Sequence, residues 1–481
     1  MTMKNLRFRT LAKNSIILMS LLFISCGPKS TTESADESSA YDLKTYVQDH
    51  SGYSFQILDS IIVEGARGYH TKMISGTWLD AQTVDQPEWW HYVDIIIPED
   101  LAFDSALLFI GGGTNNDTGF QLPEEVFEKA IASKAILAQV TNIPFQPLKF
   151  IEDKEDVDFY EDALIARGWK YFLDRGAKDE DSHWLARYPM TRAVARAMDV
   201  VEEVAEDKQR FEVSDFLISG ASKRGWTTWT IAATDQRVSA IAPLVIDLLN
   251  IVPSFEHHYK SYGEWSIAVK DYVDYEIMDY MNSQEFDRLL AKVEPYSYKE
   301  VLQMPKLIIN GSIDEFFAVD SWQFYYDDLV GEKHLQYVPN GNHGLTGTYI
   351  QENILSFFNR LNTDQERPEW SWSVDETGFQ VDITEGQDYE ISLYTNNNLQ
   401  ERDFRIFKNG KNWKETSLEP NDNHSYSISL EEPKKGFTAA FVEVRFKGEN
   451  PLTLTTGSQI IPDSYKHQAY ISAAPLGTAK D

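Results

Sequence analysis

A chain of 481 residues with 42% hydrophobic and 13% aromatic residues has enough apolar surface for two compact domains, which excludes a generally disordered protein. Its formal net charge of −31 repels a nucleic-acid backbone and an anionic membrane surface alike, so neither is an expected partner. The single cysteine, Cys26, leaves no intramolecular disulfide, and the fold must rest on its core.

Lys4, Arg7, Arg9 and Lys13 form a basic leader without an acid, and residues 15–24 follow as an apolar run too short to span a bilayer. The run ends at Ser25-Cys26, which resembles the lipobox of bacterial lipoproteins, although Phe23 stands where those signals usually carry Leu. Residues 1–26 therefore read as a lipoprotein-type signal with Cys26 as the lipidation site. The expectation is an exported protein of the cell envelope, held to a membrane by its lipid. Residues 27–40, rich in Ser, Thr, Glu and Asp, read as a flexible tether.

Over residues 41–362 short apolar runs alternate with helical patterns, the signature of a mostly parallel sheet covered on both faces. Strands are predicted at 92–97, 106–110, 135–140, 216–219, 238–246, 306–309 and 335–338. Helices are predicted at 124–133, from Pro189 through 191–205, and at 349–361. Residues 251–300, dense in Tyr and Asp, read as an insertion between two strands that caps the site. From 366 to 470 the pattern changes to alternating runs such as 379–383, 389–394, 426–430 and 440–446, separated by turns such as Asn409-Gly410. That is an all-β sandwich of immunoglobulin or fibronectin size, expected to pack or space rather than to bind carbohydrate.

The sharpest motif is Gly220-Ala221-Ser222-Lys223-Arg224-Gly225, where a strand enters a tight turn that opens a helix. A nucleophile elbow exposes its serine hydroxyl at such a turn, and flanking glycines let strand and helix approach. Here the second glycine comes one residue late and Arg224 takes a position that is usually small. Asp314 follows the apolar run 306–309, and His343 stands in the glycine-flanked stretch Asn340-Gly341-Asn342-His343-Gly344 after the last strand. The order Ser222, Asp314, His343 is that of an α/β-hydrolase triad, with Asp247 as the competing acid. Gly111-Gly112-Gly113 after a strand offers N–H donors for an oxyanion, expected at Gly112 and Gly113, with Lys223 supplying the second donor. No Lys-Ser or Lys-Thr follows these glycines, against a phosphate-binding loop. His257-His258 are adjacent, face different ways and have no further ligands nearby, so no metal and no cofactor is expected.

Together with Glu88-Trp89-Trp90-His91 and Gly111-Gly112-Gly113-Thr114-Asn115, the 220–226 and 340–343 motifs resemble the PhoPQ-activated pathogenicity-related protein family. The resemblance implies an α/β-hydrolase of the secretory or envelope compartment, linked to virulence or envelope stress. Ser-Lys-Arg-Gly is also similar, more loosely, to the Ser-Arg-x-Gly-Lys elbow of glucuronoyl esterases, where the basic residue helps hold the oxyanion; Lys223 takes that position. The expected activity is hydrolysis of an ester or amide through an acyl-enzyme on Ser222, peptide bonds first. A carbohydrate esterase comes next, and a catalytically idle binding or signalling protein is the alternative from another class. The oligomeric state has no signature in the sequence.

Overall fold

The computed structural model describes residues 37–480 except 121, 154, 155, 364, 366, 420 and 422. Cys26, the leader and the tether up to residue 36 lie outside the described residues. A nine-stranded sheet is built from β1 (Ser54–Val63), β2 (Ala66–Thr77), β3 (Glu88–Pro98), β4 (Ser105–Ile110), β5 (Ile136–Val140), β6 (Asp215–Ala221), β7 (Val238–Leu244), β8 (Lys306–Gly311) and β9 (Lys333–Val338). Its order is β1-β2-β3-β5-β4-β6-β7-β8-β9. From β5 to the β9 edge the pairs are parallel, and those among β1, β2, β3 and β5 are antiparallel. This mixed sheet, crossed over at β5-β4, is the α/β-hydrolase fold. The strands at its centre are buried on both faces, which is why they read as continuous apolar runs.

Helices cover both faces: α1 (Glu37–Gln48), α2 (Glu124–Ser133), α3 (Glu161–Asp174), α4 (Arg187–Gln209) and α5 (Lys223–Thr234) precede the insertion, and α9 (Ile350–Asn362) closes the domain. The insertion consists of α6 (Ile251–Tyr262), α7 (Lys270–Asp274), α8 (Gln284–Val293) and intervening 3-10 turns. Helix α4 begins two residues before Pro189, which sits in the first turn where its missing N–H has no intrahelical acceptor to lose.

The β1–β2 hairpin has no counterpart among the predicted strands. Within β2, Gly68 faces Phe127 and Gly76 faces Arg192; a Cβ at either would lie 2.8 Å from that side chain. Packing demands the glycines, and they dilute the strand signal. The two extra strands also make the strand before the Gly111–Gly113 loop the fourth, β4.

The C-terminal strands are β10 (Trp370–Asp375), β11 (Gly378–Ile383), β12 (Tyr389–Asn398), β13 (Lys414–Leu418), β14 (Ser425–Ser429), β15 (Phe437–Phe446), β16 (Leu452–Thr455) and β17 (Gln459–Ile461). They form an antiparallel β10-β11-β14 sheet and a second antiparallel sheet centred on β12 and β15. Val442, Val444 and Phe446 of β15 share a buried cluster with Val381 and Ile383 of β11, which closes a sandwich. The alternate residues Ala439 and Phe441 belong instead to the hydrolase core, with the Phe441 ring 6.0 Å from that of Tyr337 on β9. Strand β15 is thus buried on both faces and continues the core of the α/β domain. Beyond it, the Tyr465 hydroxyl bonds His257 Nδ1, and Tyr470 and Thr478 donate to Asp279 and Glu285, so the tail straps the insertion down.

Candidate active site

Ser222 directly follows β6, and its φ of 59° and ψ of −122° set a non-glycine residue in a strained turn before α5. Its N–H donates to Leu244 O at 2.8 Å, tying the turn to the end of β7. The late glycine has a packing reason: a Cβ on Gly225 would meet Leu244 O at 2.8 Å and Gly220 O at 3.0 Å. The packing demand for a glycine falls at 225, and position 224 takes an arginine whose guanidinium turns across the glycine loop to Ile143 O and Glu161. At the first turn of α5 the N–H of Lys223 has no acceptor within the helix and is available to a ligand.

Asp314 and His343 stand on loops after β8 and β9. His343 Nδ1 donates to Asp314 Oδ2 at 2.9 Å and Oδ1 at 3.1 Å. An ionised carboxylate only accepts, so Nδ1 carries the proton and Nε2 is the basic nitrogen. Nε2 is buried without a hydrogen-bond partner, so its bond to the Ser222 hydroxyl is not formed in this structure. The imidazole is held from two further sides. Glu315 Oε2 accepts the His343 backbone N–H at 2.8 Å, and the Phe316 ring stacks on the imidazole at 3.9 Å. The sandwich buttresses the same loops: Trp413 Nε1 donates to Ser312 O, its backbone bonds both ways with the Asn340 amide, and Ile406 N–H donates to Ile313 O. Spacing is therefore too small a description of this domain, because it braces the turns carrying Asp314 and His343.

Asp247 is occupied elsewhere. Tyr325 and Tyr337 donate to its two oxygens at 2.7 and 2.6 Å, and complete burial pushes its pKa up to about 8 despite those bonds. Largely protonated at pH 7, it lacks the charge that steadies an imidazolium.

The glycine loop lies across from the elbow. Gly112 O accepts from Asn142 N at 2.7 Å and Gly113 O from Gln146 Nε2 at 2.8 Å, while the N–H groups of Gly112 and Gly113 have no partner among the described residues. Lys223 requires a correction. Its side chain is only 9% exposed, and its ammonium lies 2.9 Å from Glu161 and 3.0 Å from Asp162. It is neither a surface lysine nor a cation free for an oxyanion, since two carboxylates take up its charge; its backbone N–H alone remains as donor.

Ser222 opens onto a cavity of about 40 Å³ beneath the insertion. Ile251, Phe255, Val269, Met278 and Phe286 of the insertion roof it, and Trp169, Trp226, Phe316 and Phe317 wall it. The polar side chains there, Asp162, Arg187, Lys223 and Tyr272, are mostly bound to one another: Tyr272 donates to Asp162, and Arg187 donates to Lys223 O and lies over Trp226. His257 pairs with Asp320 and His258 accepts from Ser266 N, so the adjacent histidines do face apart. Among the described residues no group of three or more His, Cys, Asp or Glu is placed to hold a metal.

Sequence comparison finds the PhoPQ-activated pathogenicity-related protein family over residues 43–405. The chain belongs to this family. The family's span takes in the elbow, the glycine loop, the insertion and the Asp314 and His343 loops, and Trp413 lies beyond it. Autocrine proliferation repressor protein A of Dictyostelium discoideum is 33% identical over 448 residues, covering 86% of this chain and 88% of that protein. Among solved structures the chain is similar to an acetyl xylan esterase from Paenibacillus sp. R4, at 14% identity and a TM-score of 0.48 over 70% of this chain and 97% of that one. It is also similar to a glucuronoyl esterase from Solibacter usitatus, at 12% identity and a TM-score of 0.37 over 67% and 91%.

Proposed function

We propose that the protein is a serine hydrolase that cleaves an ester or amide through an acyl-enzyme on Ser222. The observation that carries this reading is the strained Ser222 turn, open to a cavity and flanked by a histidine–carboxylate pair and unpaired backbone N–H groups. His343 Nε2 takes the hydroxyl proton as Oγ attacks the carbonyl, then returns it to the leaving group; Asp314 fixes the tautomer and steadies the imidazolium. The N–H groups of Lys223 and of Gly112 or Gly113 receive the oxyanion. Water repeats the sequence on the acyl-enzyme. Closure of Nε2 onto Oγ accompanies substrate binding, since such bonds are often long in unliganded enzymes.

The cavity favours a short apolar acyl group over the peptide substrates placed first by the sequence. At roughly 10–15 Å³ per water, its space is that of a few waters, and its roof offers carbon rather than hydrogen-bonding groups. Each methylene that fits adds about 0.8 kcal/mol, close to fourfold in kcat/KM. For p-nitrophenyl esters, kcat/KM is expected to rise from acetate to butanoate and to collapse by dodecanoate. A series that is flat, or outpaced by peptide anilides, rules the assignment out.

A second reading, a signalling protein on an idle hydrolase scaffold, is favoured by the name of the Dictyostelium relative, a proliferation repressor, and by the unformed Ser222–His343 bond. It predicts no turnover of any ester in the same screen. Export with lipidation at Cys26 is part of the proposal and rests on the basic leader, the apolar run and Ser25-Cys26. Cys26→Ser is expected to move the protein from the membrane to the soluble fraction; unchanged fractionation, with no lipid on the N-terminus by mass spectrometry, removes the anchor.

A further inference from the structure

An oxyanion hole built from the elbow and from the glycine loop joins two separate chain segments, and its donors work only if the segments stay in register within about 0.5 Å. We propose that Glu161, the first residue of α3, is the positioning residue that locks them together. This rests on the hydrolase reading above and adds to it a group that touches no reacting atom.

One carboxylate reaches both segments. Toward the elbow, Glu161 Oε1 accepts from the Arg224 guanidinium at 2.5 Å and Oε2 lies 2.9 Å from the Lys223 ammonium. Toward the glycine loop, Oε1 also accepts from Gln146 Nε2 at 2.8 Å, and that same nitrogen donates to Gly113 O at 2.8 Å. Gln146 Oε1 accepts the Glu161 backbone N–H at 2.7 Å, so the glutamine is gripped at both ends. Arg224 closes the loop a second way. Its Nε donates to Ile143 O at 2.5 Å, and its guanidinium lies over Gly112 so closely that a Cβ there would sit 2.9 Å from NH2. With Gly112 O fixed by Asn142, the trans peptide turns the Gly113 N–H the opposite way, and the Gln146 bond to Gly113 O fixes the next peptide.

Two features mark this as more than a surface ion pair. Glu161 holds a φ of +48°, a left-handed conformation that is unfavourable for a long side chain and persists where surrounding contacts impose it. Burial alone would raise its pKa, yet Arg224, Lys223 and the Gln146 bond hold the carboxyl at about 2, ionised throughout the working range. Without that charge Lys223 keeps Asp162, but Arg224 loses its carboxylate partner Glu161 and with it the hold over Gly112.

Glu161→Gln keeps the size and most hydrogen-bonding capacity while deleting the charge. On the best p-nitrophenyl ester, kcat per fluorophosphonate-labelled site is expected to fall about 10- to 100-fold, with KM changed less than about threefold. Affinity for a boronic acid, whose tetrahedral adduct uses the oxyanion donors, is expected to fall in step with kcat. Arg224→Gln gives a loss of the same kind, and the double variant is expected to lose little more than the worse single one. Should Glu161→Gln fail to fold, Gln146→Leu, which removes the bridge from Glu161 to Gly113 O and leaves the Glu161–Arg224 pair in place, carries the same test through kcat and boronate affinity. A kcat per labelled site within twofold of wild type, or boronate affinity that does not follow kcat, overturns the proposal. Wild-type protein that neither turns over ester nor is labelled sinks the hydrolase reading instead, and this inference falls with it.

Discussion

Ser222→Ala is expected to lower kcat by about 10⁶-fold, the scale of losing the nucleophile when triad members act as a unit. The other hydroxyl lining the cavity among the described residues, that of Tyr272, is committed to Asp162 and does not replace it. The fold should not suffer. Among the described residues the Ser222 hydroxyl makes no hydrogen bond that holds the structure, whereas its backbone N–H bond to Leu244 O survives the change. A melting temperature within about 2 °C of wild type, with turnover reduced to background, is the expected pair of readings. Turnover retained within tenfold would place the chemistry elsewhere.

Asp314→Asn is expected to cost about 10⁴-fold in kcat with little change in KM. The amide occupies the same space, but it offers its NH₂ to His343 Nδ1 or forces the wrong tautomer, leaving Nε2 protonated and unable to accept the serine proton. Asp247→Asn separates the two acids. Buried, hydrogen-bonded by two tyrosines and already carrying its proton near neutrality, Asp247 loses no catalytic charge, and kcat should stay within a few fold of wild type. The reverse pattern, a large loss at 247 and none at 314, would transfer the orienting role.

What the sequence made legible was local. Apolar runs at β4, β6 and β8 stand out because parallel strands are buried on both faces, and Ser222 is visible because its elbow needs glycines within a few residues of it. Asp314 and His343 follow from chain order, each just past a strand. The contacts that brace the site were not legible. Glu161 meets Arg224 across 63 positions, and Trp413 meets Ser312 across 101, with no motif at either end to announce the partner. Lys223 shows the same limit from the other side: its place after the nucleophile fixes its backbone N–H, whereas the direction of its ammonium is decided by carboxylates on α3. A signal for Glu161 was present in weak form, as two adjacent acids at a helix start, where the macrodipole favours them anyway. The β domain was legible as a sandwich, whereas its second set of contacts was not: alternate residues of 437–446 pack on the second sheet and on the hydrolase core.

The most direct test of an activated serine is to treat the wild-type protein with a biotinylated fluorophosphonate and locate the adduct by peptide mass spectrometry, with Ser222→Ala and His343→Ala beside it. The account predicts a single stoichiometric adduct on Ser222, none in Ser222→Ala, and labelling slowed by orders of magnitude in His343→Ala. An unlabelled wild-type protein, or an adduct on any other residue, would contradict it.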